Sequence, residues 1–346
     1  MSRGKFVKQK KKARSGLIIL TVVLSLILLF LVVLMVGLNY VMGKIGRIEA
    51  GETIPPHKQI FETDESLGQG ETAPPVVKAE DVTWDNVEPL YNQDIINVLL
   101  VGQDRRPGEG RARSDSMILV SINSAKGSIH MTSIMRDLYV QIPGGYADNR
   151  INAAYSMGGA QLLTDTLEKN FGILLDGIVE VDFEQFQTIV EILGGVDVEM
   201  NAEESNYMNT SSYNAGGMQP GLNHLNGYQA LIFARMRHLS GSDFGRTERQ
   251  RRLLSSIANS LKSASFSQVK DLINQVLPYV TTNLTDDQIL SYATSAALLI
   301  LDGVELETGR IPADDAYYDA TIHGMMVLVP SLEKCREYLQ DFIYAD

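Results

Sequence analysis

The sequence predicts an α/β fold: an α-β-α sandwich with a central mixed β-sheet, preceded by one transmembrane helix. Three observations predict it. Short, branched apolar runs alternate with stretches of helical periodicity, the pattern that layers helices against a sheet. Turn residues end those runs, as they end buried strands. Far upstream, Gly16–Leu38 holds 23 consecutive residues without a charge. As a helix at about 1.5 Å per residue it spans roughly 35 Å, more than a bilayer core of about 30 Å.

That apolar run sets the expected organisation. Seven lysines and arginines precede it and no acid does. The positive-inside rule then places residues 1–15 in the cytoplasm as a basic tail, with everything past Leu38 outside the cell. No small-x-small cleavage pattern follows the run, so residues 16–38 read as a retained signal anchor, not a cleaved signal peptide. Residues 39–90 hold Pro55-Pro56, Pro74-Pro75 and few large apolar side chains. They read as an extracellular stalk of extended chain, because they cannot bury enough surface to offset their ordering entropy. Residues 91–346 form the catalytic domain.

Within that domain Ile95–Val101, Met117–Ile122 and Ser128–Met135 read as strands, the first two buried on both faces. Gly159–Asn170 has helical spacing at Leu162, Leu163 and Leu167. Asp182 caps a helix through Leu193 that Gly194-Gly195 ends, and Val196–Met200 returns as a strand. Asn226 caps Gly227–Arg235. Arg246–Leu261 is a helix with Leu253, Leu254, Ile257 and Leu261 on one side. Helices at Gln268–Leu277 and Asp286–Leu299, a strand at Val304–Arg310 and a helix from Ser331 complete the chain.

The whole chain carries a formal charge of −12, and beyond the anchor 23 basic residues face 42 acidic ones. Such a domain has no electrostatic footprint for nucleic acid. Cys335 is the one cysteine, which excludes an intrachain disulfide and a cysteine-based zinc site. It shares a helical stripe with Leu332, Leu339 and Phe342 and reads as a buried thiol.

Chemistry concentrates in two segments. NVLLVGQDRRPGEGRARSD (Asn97–Asp115) runs an apolar strand into Asp104, at the strand end where open α/β sheets place ligands, and Asp115 opens the next strand. If those strands are neighbours, the two carboxylates meet across the loop. Two hard oxygen ligands suit Mg2+, or Mn2+, although loop aspartates also make turns and arginine salt bridges. Arg106, Arg113, Arg136, Arg235, Arg237, Arg246 and Arg249 all sit at strand ends, helix ends or loops. A guanidinium fork matches phosphate oxygens in pairs, which a lysine does not. Arg246 and Gln250, four apart, share one helix face. Arg249, Arg251 and Arg252 read as a solvated charge run. The helices Phe183–Leu193 and Tyr228–Phe233 are apolar enough to line a groove for a lipid, or to pack as core.

The ordered set NVLLVGQDRR…GRARSDSMILVSIN, MTSIMRDLYVQIPG, NRINAAYSMGG, VEVDFEQFQTIVEILGGVDVEM, LNGYQALIFARMRH and DFGRTERQ resembles the LytR–CpsA–Psr family of cell-envelope proteins, from about Asp94 to Phe342. The resemblance implies transfer of a glycopolymer, such as teichoic acid or capsular polysaccharide, from a polyprenyl-pyrophosphate carrier to a peptidoglycan hydroxyl. It implies Asp104 and Asp115 as metal ligands and Arg113, Arg136, Arg235, Arg237 and Arg246, with Gln250, as the pyrophosphate clamp. Arg106 matches an arginine of the first motif. The catalytic set is then Asp104, Asp115 and Arg136, with the proton acceptor open among Asp104, Asp115, Asp137 and Asp243. Some members carry a further arginine after the position of Arg136, and Asp137-Leu138-Tyr139-Val140 has none. Hydrolysis of the same lipid, or a non-catalytic regulatory role, are the alternatives. Peptidoglycan, the lipid-linked polymer and the membrane are the expected partners.

Overall fold

The computed structural model describes residues 42–48, 51, 53–64, 73–103, 111–210, 215–236, 239, 242–262 and 264–345. The expected anchor, residues 16–38, lies outside them. Among the described residues no helix is long and apolar enough to cross a membrane. Residues 42–45 belong to a separate unit, and Gly46–Asp346 form one compact unit.

In that unit the strands are β1 (Gly46–Arg47), β2 (Ile95–Gln103), β3 (Ser114–Asn123), β4 (Ser128–Ile134), β5 (Tyr139–Val140), β6 (Asn149–Arg150), β7 (Gly177–Asp182), β8 (Val196–Met200), β9 (Gly221–Leu225), β10 (Thr281–Thr282), β11 (Leu306–Ile311), β12 (Tyr317–Ile322) and β13 (Met325–Pro330). The helices are α1 (Ile151–Phe171), α2 (Phe183–Ile192), α3 (Ala202–Thr210), α4 (Gly227–Arg235), α5 (Ser242–Leu261), α6 (Phe266–Val276), α7 (Asp286–Leu301) and α8 (Leu332–Leu339). The central sheet runs β1-β10-β7-β2-β3-β4-β11. β2 pairs parallel with β7 and β4 parallel with β11, while β3 is antiparallel to both β2 and β4. The sheet is therefore mixed, as the sequence predicts.

Alternation along β2 sorts its side chains between two layers. Leu99 and Val101 join the core with Leu119, with Leu163 and Leu167 of α1, and with Leu332, Cys335 and Leu339 of α8. Cys335 is fully buried, as its stripe predicts. The other face of β2 is not fully buried: Leu100 and Gly102 are half-buried. They floor a groove beneath α2, α4 and α5 instead of packing into a closed core.

Several elements go beyond the sequence reading. α1 begins eight residues before Gly159, which sits inside it at φ 68° and ψ −155°, a kink only glycine adopts readily. β8 forms at Val196–Met200 as expected, whereas its partner β9 and the hairpin β12–β13 lie outside that reading. The caps at Asp182 and Asn226 form as expected, each as a full capping box with Gln185 or Gln229. Much of the segment expected to be a stalk lies on the domain. β1 extends the sheet through β10. Phe61, Val77, Val82 and Trp84 pack on the cluster of Tyr139, Ile322 and Val327. Its apolar side chains are few, and while Phe61, Val77, Val82 and Trp84 find a site on the domain, Ile60 and Val76 stay exposed.

Candidate functional site

Sheet polarity brings the chemistry to one edge. β2, β4 and β7 all end there, and β3, running antiparallel, begins there. Asp115 at the start of β3 and Arg136 just past β4 are thereby neighbours: Arg136 Nη1 donates to Asp115 Oδ1 at 2.9 Å. Arg136 also faces Asp137 at 3.4 Å and Asp243 at 3.6 Å. Burial opposes its charge, but Asp137, Asp243 and Asp115 together outweigh that and hold its pKa above the ordinary arginine value.

α5 delivers the next two groups. Arg246 is 3 % exposed. Its guanidinium grips Asp243 through two contacts, at 2.8 and 2.9 Å, and donates to the Asp115 carbonyl at 3.2 Å. One turn on, Gln250 accepts from Ser116 Oγ at 2.9 Å and donates to the Ala234 carbonyl at 3.3 Å. At the end of α4, Arg235 lies 4.1 Å over the Phe183 ring, a cation–π contact. Asp115, Ser116, Phe183, Arg235, Arg246 and Gln250, with Gly102, enclose a cavity of about 50 Å3.

Of the residues singled out in the sequence, Asp115, Arg136, Arg235, Arg246 and Gln250 converge. Arg113 sits beside this group without lining the cavity; it pairs with Glu62 at 2.7 Å. Burial lowers its pKa, opposed by Glu62. Asp104, Arg106 and Arg237 lie outside the described residues. Among the described residues no group of three or more His, Cys, Asp or Glu is placed to hold a metal ion. Asp115, whose side chain is 30 % exposed, is the described carboxylate at the cavity wall with the hard oxygen chemistry a divalent cation takes.

Sequence reasoning missed four contributors. Ser116 positions Gln250, and Phe183 positions Arg235. Arg150 is 7 % exposed, bonds Asp64 and faces Asp137 at 3.8 Å. Gln103 is the fourth. Its Oε1 accepts from the Ala112 backbone at 3.2 Å, and its Nε2 donates to buried Glu180, which also accepts from the Tyr155 hydroxyl. Gln103 therefore ties together the two ends of the loop that carries Asp104. A glutamine at a strand end gives no signal of this in the sequence. One reading is overturned: Arg249 and Arg251 are 3 % and 9 % exposed, not solvated. α5 is packed on opposite sides, and Arg249 Nη2 donates to the Met236 carbonyl at 2.8 Å.

The cavity opens onto the groove under α2, α4 and α5, sharing Gly102, Ser116, Phe183, Arg235 and Gln250 with it. The groove holds about 280 Å3 and is lined by Leu100, Ile118, Phe186, Ile189, Leu231, Leu254 and other apolar side chains.

This architecture is that of a known class of α/β protein. The crystal structure of TagV from B. subtilis matches with a TM-score of 0.59 at 28% identity, covering 74% of this chain and 100% of that one. A structure of TagT bound to LIIa-WTA matches with a TM-score of 0.60 at 26% identity, covering 82% and 100%. Residues 61–340 match the LytR_cpsA_psr family, and the chain belongs to it. The polyisoprenyl-teichoic acid–peptidoglycan teichoic acid transferase TagU of Bacillus mycoides (strain KBAB4) is 30% identical over 288 residues, 81% of this chain and 91% of that protein. The regulatory protein MsrR of Staphylococcus aureus (strain COL) is 31% identical over 233 residues, 67% and 68% of the two chains.

Proposed function

We propose that this protein transfers an anionic glycopolymer from a polyprenyl-pyrophosphate carrier to a peptidoglycan hydroxyl, forming a phosphodiester. The observation that carries this reading is the junction of two environments. An arginine-lined cavity runs into an apolar groove through shared residues, which suits a ligand with a diphosphate joined to a hydrocarbon chain. The teichoic acid transferase activity named for TagU, and the TagT structure with LIIa-WTA, support the same class of substrate.

Arg136, Arg235 and Arg246, with Gln250, would hold the diphosphate, and the groove the isoprenoid. Guanidinium groups spread over both phosphates would stabilise the charge that develops as the carrier phosphate leaves. Mg2+ or Mn2+, held by Asp115 with Asp104, would add neutralising charge there. Asp243 is committed to Arg246 through both oxygens and serves to aim the guanidinium groups. Asp115, at the cavity wall, or Asp104, whichever is not committed to the ion, would take the proton of the attacking hydroxyl. Residues 16–38 would anchor the protein, with the domain outside the cell.

Full-length protein, a lipid-linked polymer donor and peptidoglycan test the reading. D115N and R136Q should each lower transfer by about 100-fold or more, the scale of losing one charge-stabilising group, with the circular dichroism unchanged. Undiminished transfer in both removes this site from the reaction. Free polymer phosphate formed equally well without acceptor would make the enzyme a hydrolase instead.

A further inference from the structure

A second cavity lies across α5 from the first. It holds about 270 Å3 and is lined by Val198 and Glu199 of β8, by Glu248, Arg251, Arg252, Ser255 and Ser256 of α5, and by Thr308 of β11. At 100° per residue, Glu248, Arg252 and Ser255 project roughly 200°, 240° and 180° from Arg246. The two cavities therefore use opposite sides of one helix.

Arg251 is the informative group. It is 9 % exposed, and its Nε and Nη1 are buried without a hydrogen-bond partner. The other nearby guanidinium groups are engaged. Arg252 bonds Glu204 and faces Glu248 at 3.4 Å. Arg310 bonds Asp314 and lies 4.4 Å over Phe244. Among the described residues Arg251 forms no ion pair. Burial lowers its pKa, partly offset by Glu248 and reinforced by Arg310. A buried charge without a partner is destabilising and is rarely kept without a use.

We propose that this cavity is a second oxyanion site and that it takes a phosphodiester flanked by hydroxylated groups, a repeat of the polymer bound away from its reacting end. Arg251 supplies the charge for the phosphate, with Ser255, Ser256 and Thr308 as hydroxyl donors around it. Glu199 and Glu248 accept hydrogen bonds from neighbouring polyol or sugar hydroxyls and repel a second phosphate. The volume exceeds what one bare phosphate fills. The oxyanion site stands on this geometry alone; its assignment to polymer rests on the proposed function.

The test uses the full-length protein carrying R136Q and R235Q, which weaken the first site, titrated calorimetrically with a glycerol-phosphate oligomer. The oligomer should still bind. R251Q should weaken that binding about tenfold or more, and the half-buried pair S255A/S256A should weaken it without touching the buried charge. Inorganic phosphate should compete and glycerol should not. R251Q should also hold or raise the melting temperature, because it removes an unpaired buried charge. A lower melting temperature would mark Arg251 as structural and overturn the proposal. So would oligomer binding that neither R251Q nor S255A/S256A alters, or binding of phosphate alone. If wild-type protein transfers no polymer while Arg251-dependent binding persists, the proposed function fails and this site remains. Transfer without Arg251-dependent binding is the reverse result.

Discussion

Single side chains in this molecule are governed by which layer they enter. Cys335 shows the simplest case. Its place between Leu332 and Leu339 on one helical stripe fixed its environment from sequence, and it is wholly buried. Burial, with Asp315 nearby, pushes its thiol up to about 12. It should not react with an aromatic disulfide reagent at pH 8 in the native protein, and should react fully once urea unfolds it; rapid native labelling would contradict the packing. Arg251 shows the harder case. A run of arginines near a helix start looks solvated, because sequence gives spacing but not what packs on each side. Likewise Asp115 and Arg136 could be named as candidates, but their 2.9 Å contact depends on strand order, which no local pattern specifies.

Elements with self-contained signals were legible. The Asp182 and Asn226 caps, the strand runs and α5 all carry their own periodicity or capping chemistry. β9, the partner of β8, does not, since it is short and half-exposed. Their pairing is tied by His224, whose Nδ1 faces Asp197 at 2.7 Å and whose Nε2 faces the Gly194 carbonyl at 3.0 Å. Both partners are acceptors, so the protonated ring satisfies both, and the bond to Asp197 raises the His224 pKa. A raised pKa gives stability that is complete below the unfolded value, about 6.5, and lost as pH rises through the folded value. H224Q should therefore be less stable than wild type at pH 5.5 by a fraction of a kcal/mol, about the worth of an exposed pair. The difference should vanish by about pH 9, as read by urea unfolding. A gap that widens with pH would reverse the assignment.

For the whole molecule, the layered α/β plan was legible because strands and helices alternate. The docking of the chain before β2 was not, because a few apolar residues among prolines look like linker until a surface receives them. Trp84 donates to Asp148 at 2.7 Å, and its ring joins Phe61, Val77 and Val82 on the β12–β13 hairpin. A protein starting at residue 91 should melt at least about 5 °C below one starting at residue 46, since each large side chain exposed forfeits about 1.5–3 kcal/mol. Equal melting temperatures would show that the docked segment adds nothing. α5 carries a further consequence. Most surface helices keep one side idle, and that idle side absorbs changes of length. α5 has work on opposite sides, so a single inserted residue between Arg246 and Ser255 would swing everything downstream by about 100° and put both surfaces out of phase together. Change by substitution is open at the exposed positions of the helix; change of length within it is not.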